Sequence, residues 1–375
     1  MPPRSRRKRR MIYPMKRLIT RAAALATALA LTVSLAACNN VADTSQSSSV
    51  TVETEEAAPV TPEEAVEAQP LTYPMTLTDQ AGRTVTIESE PQTIVSGYYI
   101  SSSLLIALGR ADRMVGIEAK ANTRPIYSLS APELLDLPSV GSAKEFDLEG
   151  CAALEPDLVI LPLKLESAAD SLTELGIPVL LINPEDRTLL AETITLVGQA
   201  TNSVEAADKL LAFTEEQQTR LETTLADADR PDVYLAGNSD LLSTAGSAMY
   251  QSDLIDLAGG HNVASDITDT YWVDIDYEQL LAWDPDYIIL ASDASYTCDD
   301  VLNDANLADC TAVKNGNVYQ MPGDAEAWDS PVPGGILGAV WLSTVLHPDL
   351  CSTDEANAVM GSFYENFYGF TYPLA

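Results

Sequence analysis

Basic and phenolic side chains follow the predicted strands in the first half of the chain, at the points where these strands end. Ligands of open parallel sheets bind beyond the carboxyl ends of the strands, so the set is expected to line one edge of one sheet. It predicts a pocket for an anionic ligand; the alternative is a set of ordinary loop charges paired with the acids beside them. The predicted ligand-binding residues of this half are Tyr98, Tyr99, Lys120, Arg124, Lys144, Lys164 and Arg187.

Aromatic side chains take the corresponding places in the second half. Flat, partly polar rings suit stacking against a large planar or conjugated ligand, although any single one of them can instead belong to the core. Together they predict the second wall of a binding cleft. The predicted ligand-binding residues of this half are Tyr250, Tyr271, Trp272, Tyr296 and Trp328.

Residue constellations typical of enzymes are missing from the sequence. It has no Gly-x-Ser-x-Gly nucleophile elbow and no Walker-type phosphate loop. Its two histidines, His261 and His347, each lie beside a predicted helix end, where a structural role is expected, and no metal site is predicted. We therefore predict binding without catalysis and without an intrinsic cofactor. An extracellular enzyme or a ligand sensor on the same two-lobe plan is the alternative of another class.

The charge balance narrows the range of partners. The 375 residues include 21 Lys and Arg and 55 Asp and Glu. Nine of the basic residues lie before residue 22, which leaves 12 basic residues against 55 acidic ones in the rest of the chain. A field this negative repels nucleic acid and bare anionic lipid, so neither is expected as a partner.

The N-terminal residues have the pattern of an export signal. A basic segment ending at Arg21 precedes the apolar run 25–37, which is shorter than a membrane span. Leu35-Ala-Ala-Cys38 resembles the lipobox of bacterial lipoproteins, which implies removal of residues 1–37 and lipidation of Cys38. Residues 38–72 are rich in Ser, Thr, Glu and Pro and predict a disordered tether. The predicted location is the outer face of the bacterial cytoplasmic membrane; a plain secretory peptide or an uncleaved anchor is the alternative.

One segment of the chain occurs twice. Residues 147–161 align without a gap on residues 276–290. In each copy an Asp suited to cap a helix is followed two residues later by a glutamate, Glu149 or Glu278, and a proline then separates the helix from an apolar strand. The recurrence of a short helix and a buried strand predicts two similar α/β lobes with a cleft between them.

Strands and helices alternate through most of the remaining chain, after a predicted hairpin over 76–87. This order is typical of parallel sheets with helical crossovers. Residues 188–228 predict one long helix, or a helix pair interrupted near 200–203. The predicted fold class is α/β, with two Rossmann-like lobes built on central parallel sheets and joined by a long backbone helix. The predicted parts are an N-terminal lobe over 73–200, a connecting helix over 201–230 and a C-terminal lobe over 231–375.

Two cysteines are candidates for a disulfide bond. Cys298 and Cys310 lie twelve residues apart among polar turn residues, and export to an oxidising compartment would permit a bond between them. Cys151 lies on the apolar side of the first repeated helix and is expected to be a buried thiol.

The order of several short motifs resembles that of the class III, helical-backbone substrate-binding proteins of ABC importers for iron-siderophores, haem and cobalamin. The resemblance covers residues 91–350. Its motifs are Ala107-Leu-Gly with Met114-Val-Gly-Ile, Ser139-Val-Gly, Leu154-Glu-Pro-Asp-Leu-Val-Ile, Asp256-Leu-Ala-Gly-Gly-His-Asn, Trp283-Asp-Pro-Asp, Ala312-Val-Lys-Asn-Gly-Asn-Val-Tyr, and Trp328-Asp-Ser-Pro with Leu337-Gly-Ala-Val-Trp-Leu. Many relatives carry a glutamate where this chain has Ser103, so no expectation about binding rests on that position.

The resemblance implies a function. It implies a monomeric lipoprotein that captures an anionic iron complex, a ferric siderophore first, in the cleft and delivers it to the permease and ATPase of an importer. Glu149 and Glu278 correspond to the two surface glutamates that engage the permease, although each could merely complement a helix dipole. Haem and cobalamin are the alternative cargoes. For haem, Tyr98, Tyr99 or Tyr250 could ligate the iron.

Overall fold

Two four-stranded parallel sheets form the centre of the computed structural model, which describes residues 71–268 and 272–373. The predicted signal peptide, Cys38, all but the last two residues of the predicted tether, and Tyr271 lie outside the described residues. The strands are β1 Met75–Thr78, β2 Thr84–Ile87, β3 Ile94–Ser96, β4 Met114–Gly116, β5 Leu158–Pro162, β6 Val179–Ile182, β7 Asp232–Ala236, β8 Ser243–Ala245, β9 His261–Asn262, β10 Trp272–Asp274, β11 Tyr287–Leu290 and β12 Val318–Gln320.

The two parallel sheets have the strand orders β4-β3-β5-β6 and β12-β11-β7-β9. Their inner strands are apolar runs that helices cover on both faces, and every residue of β5 is buried. Two antiparallel pairs, β1 with β2 and β10 with β8, lie outside these sheets. The predicted hairpin over 76–87 and the predicted parallel sheets are confirmed.

Helices connect the parallel strands and follow the last of them. They are α1 Tyr99–Ala107, α2 Pro125–Ser130, α3 Leu148–Ala153, α4 Glu166–Glu174, α5 Arg187–Ala200, α6 Val204–Thr224, α7 Tyr250–Leu257, α8 Tyr277–Trp283, α9 Cys298–Leu302, α10 Thr311–Asn315, α11 Ile336–Leu346 and α12 Thr353–Tyr368. In the part of the chain that the structure covers, no helix is long and apolar enough to cross a membrane.

The repeated segment has the same structure in both copies. The Asp147 carboxylate accepts a hydrogen bond from the Gly150 amide at 2.9 Å, and the Asp276 carboxylate accepts one from the Gln279 amide at 2.8 Å. These caps start α3 and α8, which lead into β5 and β11, each an inner strand of its sheet. The structure therefore confirms two lobes of like design.

The connection between the lobes is a helix pair. α5 and α6 pack against each other and are separated by Thr201, Asn202 and Ser203, with Asn202 at a positive φ of 53°. A Cβ on Gly198 would lie 2.6 Å from Cβ of Ala207, so the close approach of the two helices requires glycine there. The 21 residues of α6 extend over about 30 Å and contact α7 and α11 of the second lobe.

One hydrophobic core extends through both lobes. It includes Leu104 of α1, Leu210 of α6, Leu337 of α11 and Phe363 of α12, and all four are fully buried. Smaller clusters cover the outer face of each sheet. The lobes are thus fused along the helix pair and face each other across a cleft only at the carboxyl edges of the sheets.

The predicted disulfide is not present in the structure. Cys298 starts α9 and Cys310 is the residue before α10, and both are free thiols. Cys310 is buried in the cluster on the outer face of the second sheet, where burial raises the pKa of its thiol. Packing into that cluster, rather than a cross-link, fixes this cysteine. Cys151 is a buried free thiol, as predicted.

Candidate functional site

The carboxyl end of β3 begins the candidate site. Tyr98 caps the first turn of α1 and packs edge to face on Tyr99, with 5.1 Å between the ring centroids. Burial raises the pKa of both phenols well above the ordinary value, so both remain neutral donors at physiological pH. The Tyr99 hydroxyl lies close to the Ser330 side chain of the second lobe, so the edges of the two lobes meet here.

Arg124 is the cation at the centre of this edge. Its guanidinium carbon lies 3.9 Å from the centroid of the Tyr99 ring, a cation–π contact. Its Nε is 3.8 Å from Oε1 of Glu118, too far for a hydrogen bond, and this buried nitrogen has no hydrogen-bond partner within the described chain. A buried guanidinium nitrogen without a partner favours an anionic ligand.

A buried polar network positions the carboxyl group beside Arg124. Glu118, which follows β4, accepts hydrogen bonds from Ser102 Oγ at 2.6 Å and from Tyr127 Oη at 2.7 Å. Burial raises the pKa of Glu118, while these two donors and Arg124 act against that rise. Ser102 Oγ in turn contacts Ser96 Oγ at 2.8 Å. The network fixes the carboxyl beside the guanidinium, and the Arg124 side chain remains partly exposed.

The second lobe supplies the facing wall. Asp329 is buried and accepts a hydrogen bond from Ser292 Oγ at 2.5 Å, and burial raises its pKa. A cavity of about 40 Å³ lies between the lobes and has room for a few water molecules or one small ion. The side chains that line it include Tyr99, Ser103, Arg124 and Tyr127 from the first lobe and Asp293 and Glu326 from the second.

A larger groove of about 780 Å³ lies along α5 and α6 and is lined by Tyr250 and Asp253 from the second lobe. Arg187, at the start of α5, has its Nε 3.9 Å from Oδ2 of Asp253, and that buried nitrogen also has no hydrogen-bond partner among the described residues. Tyr250 lines the groove, and its hydroxyl is close enough to Asp329 for their charges to interact. Each of the two arginines therefore lines a space to which both lobes contribute residues.

The three predicted lysines do not join the cavity lining. Lys120, Lys144 and Lys164 have exposed side chains on loops that follow strands, and none forms an ion pair within the described residues. Of the five predicted cations, the structure brings only Arg124 and Arg187 to the interlobe region. The lysines are solvated loop charges near it.

Some of the predicted aromatic side chains lie in the hydrophobic core and others lie on the rim of the cleft. Trp328 is only 1% exposed and donates its Nε1 hydrogen to Tyr364 Oη at 2.7 Å, which corrects its assignment to the ligand site. Tyr296 is half-buried, and its hydroxyl donates to the Gly237 carbonyl at 2.6 Å. Trp272 is 39% exposed on β10, beside Gly237 at the end of β7, and so lies on the rim. Only Tyr250 lines the larger groove.

Several residues of the site were not found from the sequence. Glu118, Tyr127 and Glu326 are buried polar groups at the interlobe region. No spacing distinguishes two such carboxyls in a chain with 55 acids. The one usable signal was position, because Glu118 directly follows β4.

The two repeated glutamates have the positions expected of surface groups. Glu149 and Glu278 are exposed in the first turns of α3 and α8. Each helix runs antiparallel to the strand that follows it, so its first turn lies toward the carboxyl edge of the sheet, where the cleft opens. No described cation pairs with either of them.

Comparison with known proteins agrees with this architecture. The family model described as periplasmic binding protein matches residues 94–325. The molybdate-binding protein MolA of Haemophilus influenzae is 27% identical over 323 residues, 79% of this chain and 91% of that protein. The uncharacterized ABC transporter substrate-binding lipoprotein YvrC of Bacillus subtilis is 25% identical over 74% of this chain and 87% of its own length.

A solved structure has the same fold. The periplasmic solute binding protein of Veillonella parvula superposes with a TM-score of 0.70 and 27% identity, over 79% of this chain and 93% of that one. The family model covers more than half of the chain, and the two lobes with their helix pair have the architecture that the resemblance implied. The chain therefore belongs to the periplasmic binding protein family, the class III binding proteins of ABC importers.

Proposed function

We propose that this protein binds a small oxyanion between its lobes and delivers it to the permease and ATPase of an ABC importer. The observation that carries the proposal is Arg124, whose buried Nε has no hydrogen-bond partner among the described residues and whose guanidinium borders the interlobe cavity. Guanidinium groups match the geometry of oxyanions, and the neutral phenol of Tyr99 is a further donor. Molybdate is the model ligand because a relative of similar length is a molybdate-binding protein.

The size of the cavity supports a small ligand over a chelate. About 40 Å³ accommodates an ion but not a ferric siderophore, haem or cobalamin without a wider separation of the lobes. Lys120, Lys144 and Lys164 are exposed and do not line the cavity. Much of the positive charge that was expected to bind a large anionic iron complex is therefore not at the site.

A ferric siderophore is the second candidate, with haem and cobalamin as further metal complexes. The groove of about 780 Å³ beside Arg187 and Tyr250 favours it, because ligand pockets for molecules of that size have volumes of several hundred Å³. In this case Arg187 would meet the anionic groups of the chelate, and Trp272 would contact it from the rim.

A binding screen tests the proposal. The protein is titrated with molybdate, tungstate, sulfate, a ferric catecholate siderophore, haem and cobalamin, and the shift in melting temperature and the heat of binding are measured. We expect a saturable response to molybdate or tungstate. Arg124→Gln should weaken that binding at least tenfold, while Arg230→Gln, which changes an arginine paired with Asp256 elsewhere on the surface, should leave it unchanged.

Two results would contradict the oxyanion proposal. A response confined to the siderophore, haem or cobalamin would assign the chelate to this protein instead. Undiminished oxyanion binding by Arg124→Gln would place the anion elsewhere. In either case the assignment to the binding-protein family stands, because it rests on the fold and the family match.

We also propose the attachment and docking that the sequence implies. Lipidation of Cys38 after removal of residues 1–37 would hold the protein at the outer face of the cytoplasmic membrane, and a relative is named as a lipoprotein. Glu149 and Glu278 would engage the permease, one from each lobe, with the protein acting as a monomer. Their exposure and equivalent positions beside the cleft support this role.

A further inference from the structure

A buried carboxyl group joins the two lobes at the wall of the cavity. Glu326 follows β12 in the second lobe and is 5% exposed. Its Oε1 accepts a hydrogen bond from Ser103 Oγ of α1, in the first lobe, and another from Tyr368 Oη of α12 at 2.9 Å. The Ser103 and Tyr368 hydroxyls also contact each other at 2.9 Å. Ser103 thus connects α1 to the second lobe through Glu326.

The surroundings of this carboxyl favour its neutral form. No described cation forms an ion pair with it, and Arg124, the one cation of the cavity lining, is directed at Glu118 and Tyr99 instead. Burial raises the pKa of Glu326 to about 7, against which the Ser103 and Tyr368 hydrogen bonds act. The titratable groups that face it or share its cavity are Tyr99, Arg124, Tyr127, Tyr250, Asp293, Tyr364 and Tyr368.

We propose that Glu326 is a proton-operated latch, which holds the two lobes together at the cleft when its carboxyl is protonated. The contact with Ser103 joins residues of the two lobes at the wall of the cavity, so separation of the lobes at this wall would break it. Separation also admits water to a carboxyl that is now buried. The latch goes beyond the proposed function, because it is independent of which ligand the cleft takes.

The direction of the effect follows from linkage between protonation and closure. In open lobes the hydrated carboxyl has its ordinary pKa of about 4.5, whereas in closed lobes the pKa is about 7. Closure therefore takes up a proton between these values, and each pH unit across that interval weakens closure by up to about tenfold. Below about pH 4.5 and above about pH 7 the closure equilibrium no longer depends on this group.

Distance measurements on the ligand-free protein test the latch. Spin labels are attached at Glu149→Cys and Glu278→Cys, one exposed position on each lobe, with Cys38 and Cys298 changed to serine. The distribution of distances between the labels is measured by double electron–electron resonance at pH 5.5 and pH 8. We expect the ratio of open to closed populations to rise at least about tenfold at the higher pH.

Three variants separate the latch from a general effect of pH. Glu326→Gln keeps an acceptor for Ser103 and Tyr368 but cannot ionise, so its ratio should be the same at both pH values. Ser103→Ala removes the interlobe donor and should open the lobes at pH 5.5 as well. Glu174→Gln, an exposed change on α4, should behave as the wild type.

The proposal is overturned if the wild-type ratio is constant with pH, or if Glu326→Gln responds to pH as the wild type does. If Glu326→Gln fails to fold, the Ser103→Ala ratio decides: closed lobes at pH 5.5 in that variant reject the latch. Because no ligand is present, neither result depends on whether the cleft binds an oxyanion.

Discussion

At the scale of single residues, the centre of the site is Arg124 beside Glu118, a buried glutamate that accepts hydrogen bonds from two hydroxyl groups. Glu118 has two hydroxyl donors and a guanidinium near it, and burial works against its ionised form. The donors therefore matter most when the carboxyl is charged. Removing one of them should produce a loss of stability that depends on pH.

Tyr127→Phe tests this dependence. The change deletes the 2.7 Å hydrogen bond to Glu118, and hydrogen bonds to charged groups contribute about 1.5–3 kcal/mol. We expect the free energy of unfolding to fall by about that amount at pH 8, toward the ionised form of Glu118. The loss should be smaller at pH 4.5, because burial raises the pKa of Glu118 and so shifts the carboxyl toward its protonated form at acid pH.

The measurement is urea unfolding followed by circular dichroism at both pH values. Tyr319→Phe is the matched control, since Tyr319 is 37% exposed and stacks on Tyr287 at the edge of the second sheet. An equal loss for Tyr127→Phe at pH 4.5 and pH 8 would show that the hydroxyl does not support an ionised Glu118.

At this scale the sequence identified only part of the site. Arg124 and Arg187 were found because they follow predicted strands, a feature that local pattern encodes. The latch was not found, because Ser103, Glu326 and Tyr368 are brought together from three distant segments by packing of the lobes. Trp328 was misassigned for the same reason: only the position of α12 shows that its indole N–H donates to Tyr364 in the core.

At the scale of elements, the helix pair α5 and α6 determines how the lobes are held. Gly198 allows α5 to approach Ala207 of α6 more closely than a Cβ would permit. Because this contact lies at the turn between the two helices, its geometry affects both the stability of the protein and the separation of the lobes.

Gly198→Ala should lower the free energy of unfolding by about 1–3 kcal/mol, since the added methyl group overpacks the contact. Ala207→Gly alone should cost about 1 kcal/mol through helix propensity. The double variant should be more stable than the sum of the single changes predicts, because the clash is absent from it. Thermal unfolding of all four proteins gives the coupling energy, and strict additivity would contradict the proposed contact.

The elements themselves were largely predictable from the sequence. Each repeated segment contains an N-cap Asp, a breaking proline and an apolar strand within fifteen residues, so local chemistry suffices to specify it. A helix pair interrupted near 200–203 was one of the two alternatives predicted for this stretch, and the break falls at residues 201–203. The disulfide was wrong because the spacing of two cysteines says nothing about the cluster into which Cys310 packs.

At the scale of the whole molecule, two equivalent carboxylates lie on the same edge as the cleft. Charge reversal of both, in Glu149→Lys with Glu278→Lys, should abolish transport while leaving the affinity for ligand intact. The physical reason is that the proposed docking pairs these exposed acids with cations on the permease, and lysines would repel those cations. The measurement is ATP hydrolysis by the reconstituted importer, together with the Kd of the isolated binding protein.

Glu174→Lys, an equally exposed change on α4 of the first lobe, is the control and should leave ATP hydrolysis intact. A loss of affinity in the double variant would place the two glutamates in the ligand site instead. Unchanged ATP hydrolysis would leave them as acids that only complement the helix dipoles.

The continuous core of the two lobes has a consequence for unloading. Leu104 and Leu337, from opposite lobes, belong to the same buried cluster, and the helix pair braces it from one side. Two lobes that share one core resist large rotations relative to each other. Spontaneous dissociation of the cargo should therefore be slow even when the cleft opens slightly. Release of the cargo then requires work on the binding protein. ATP hydrolysis by the importer would supply the energy that separates the lobes.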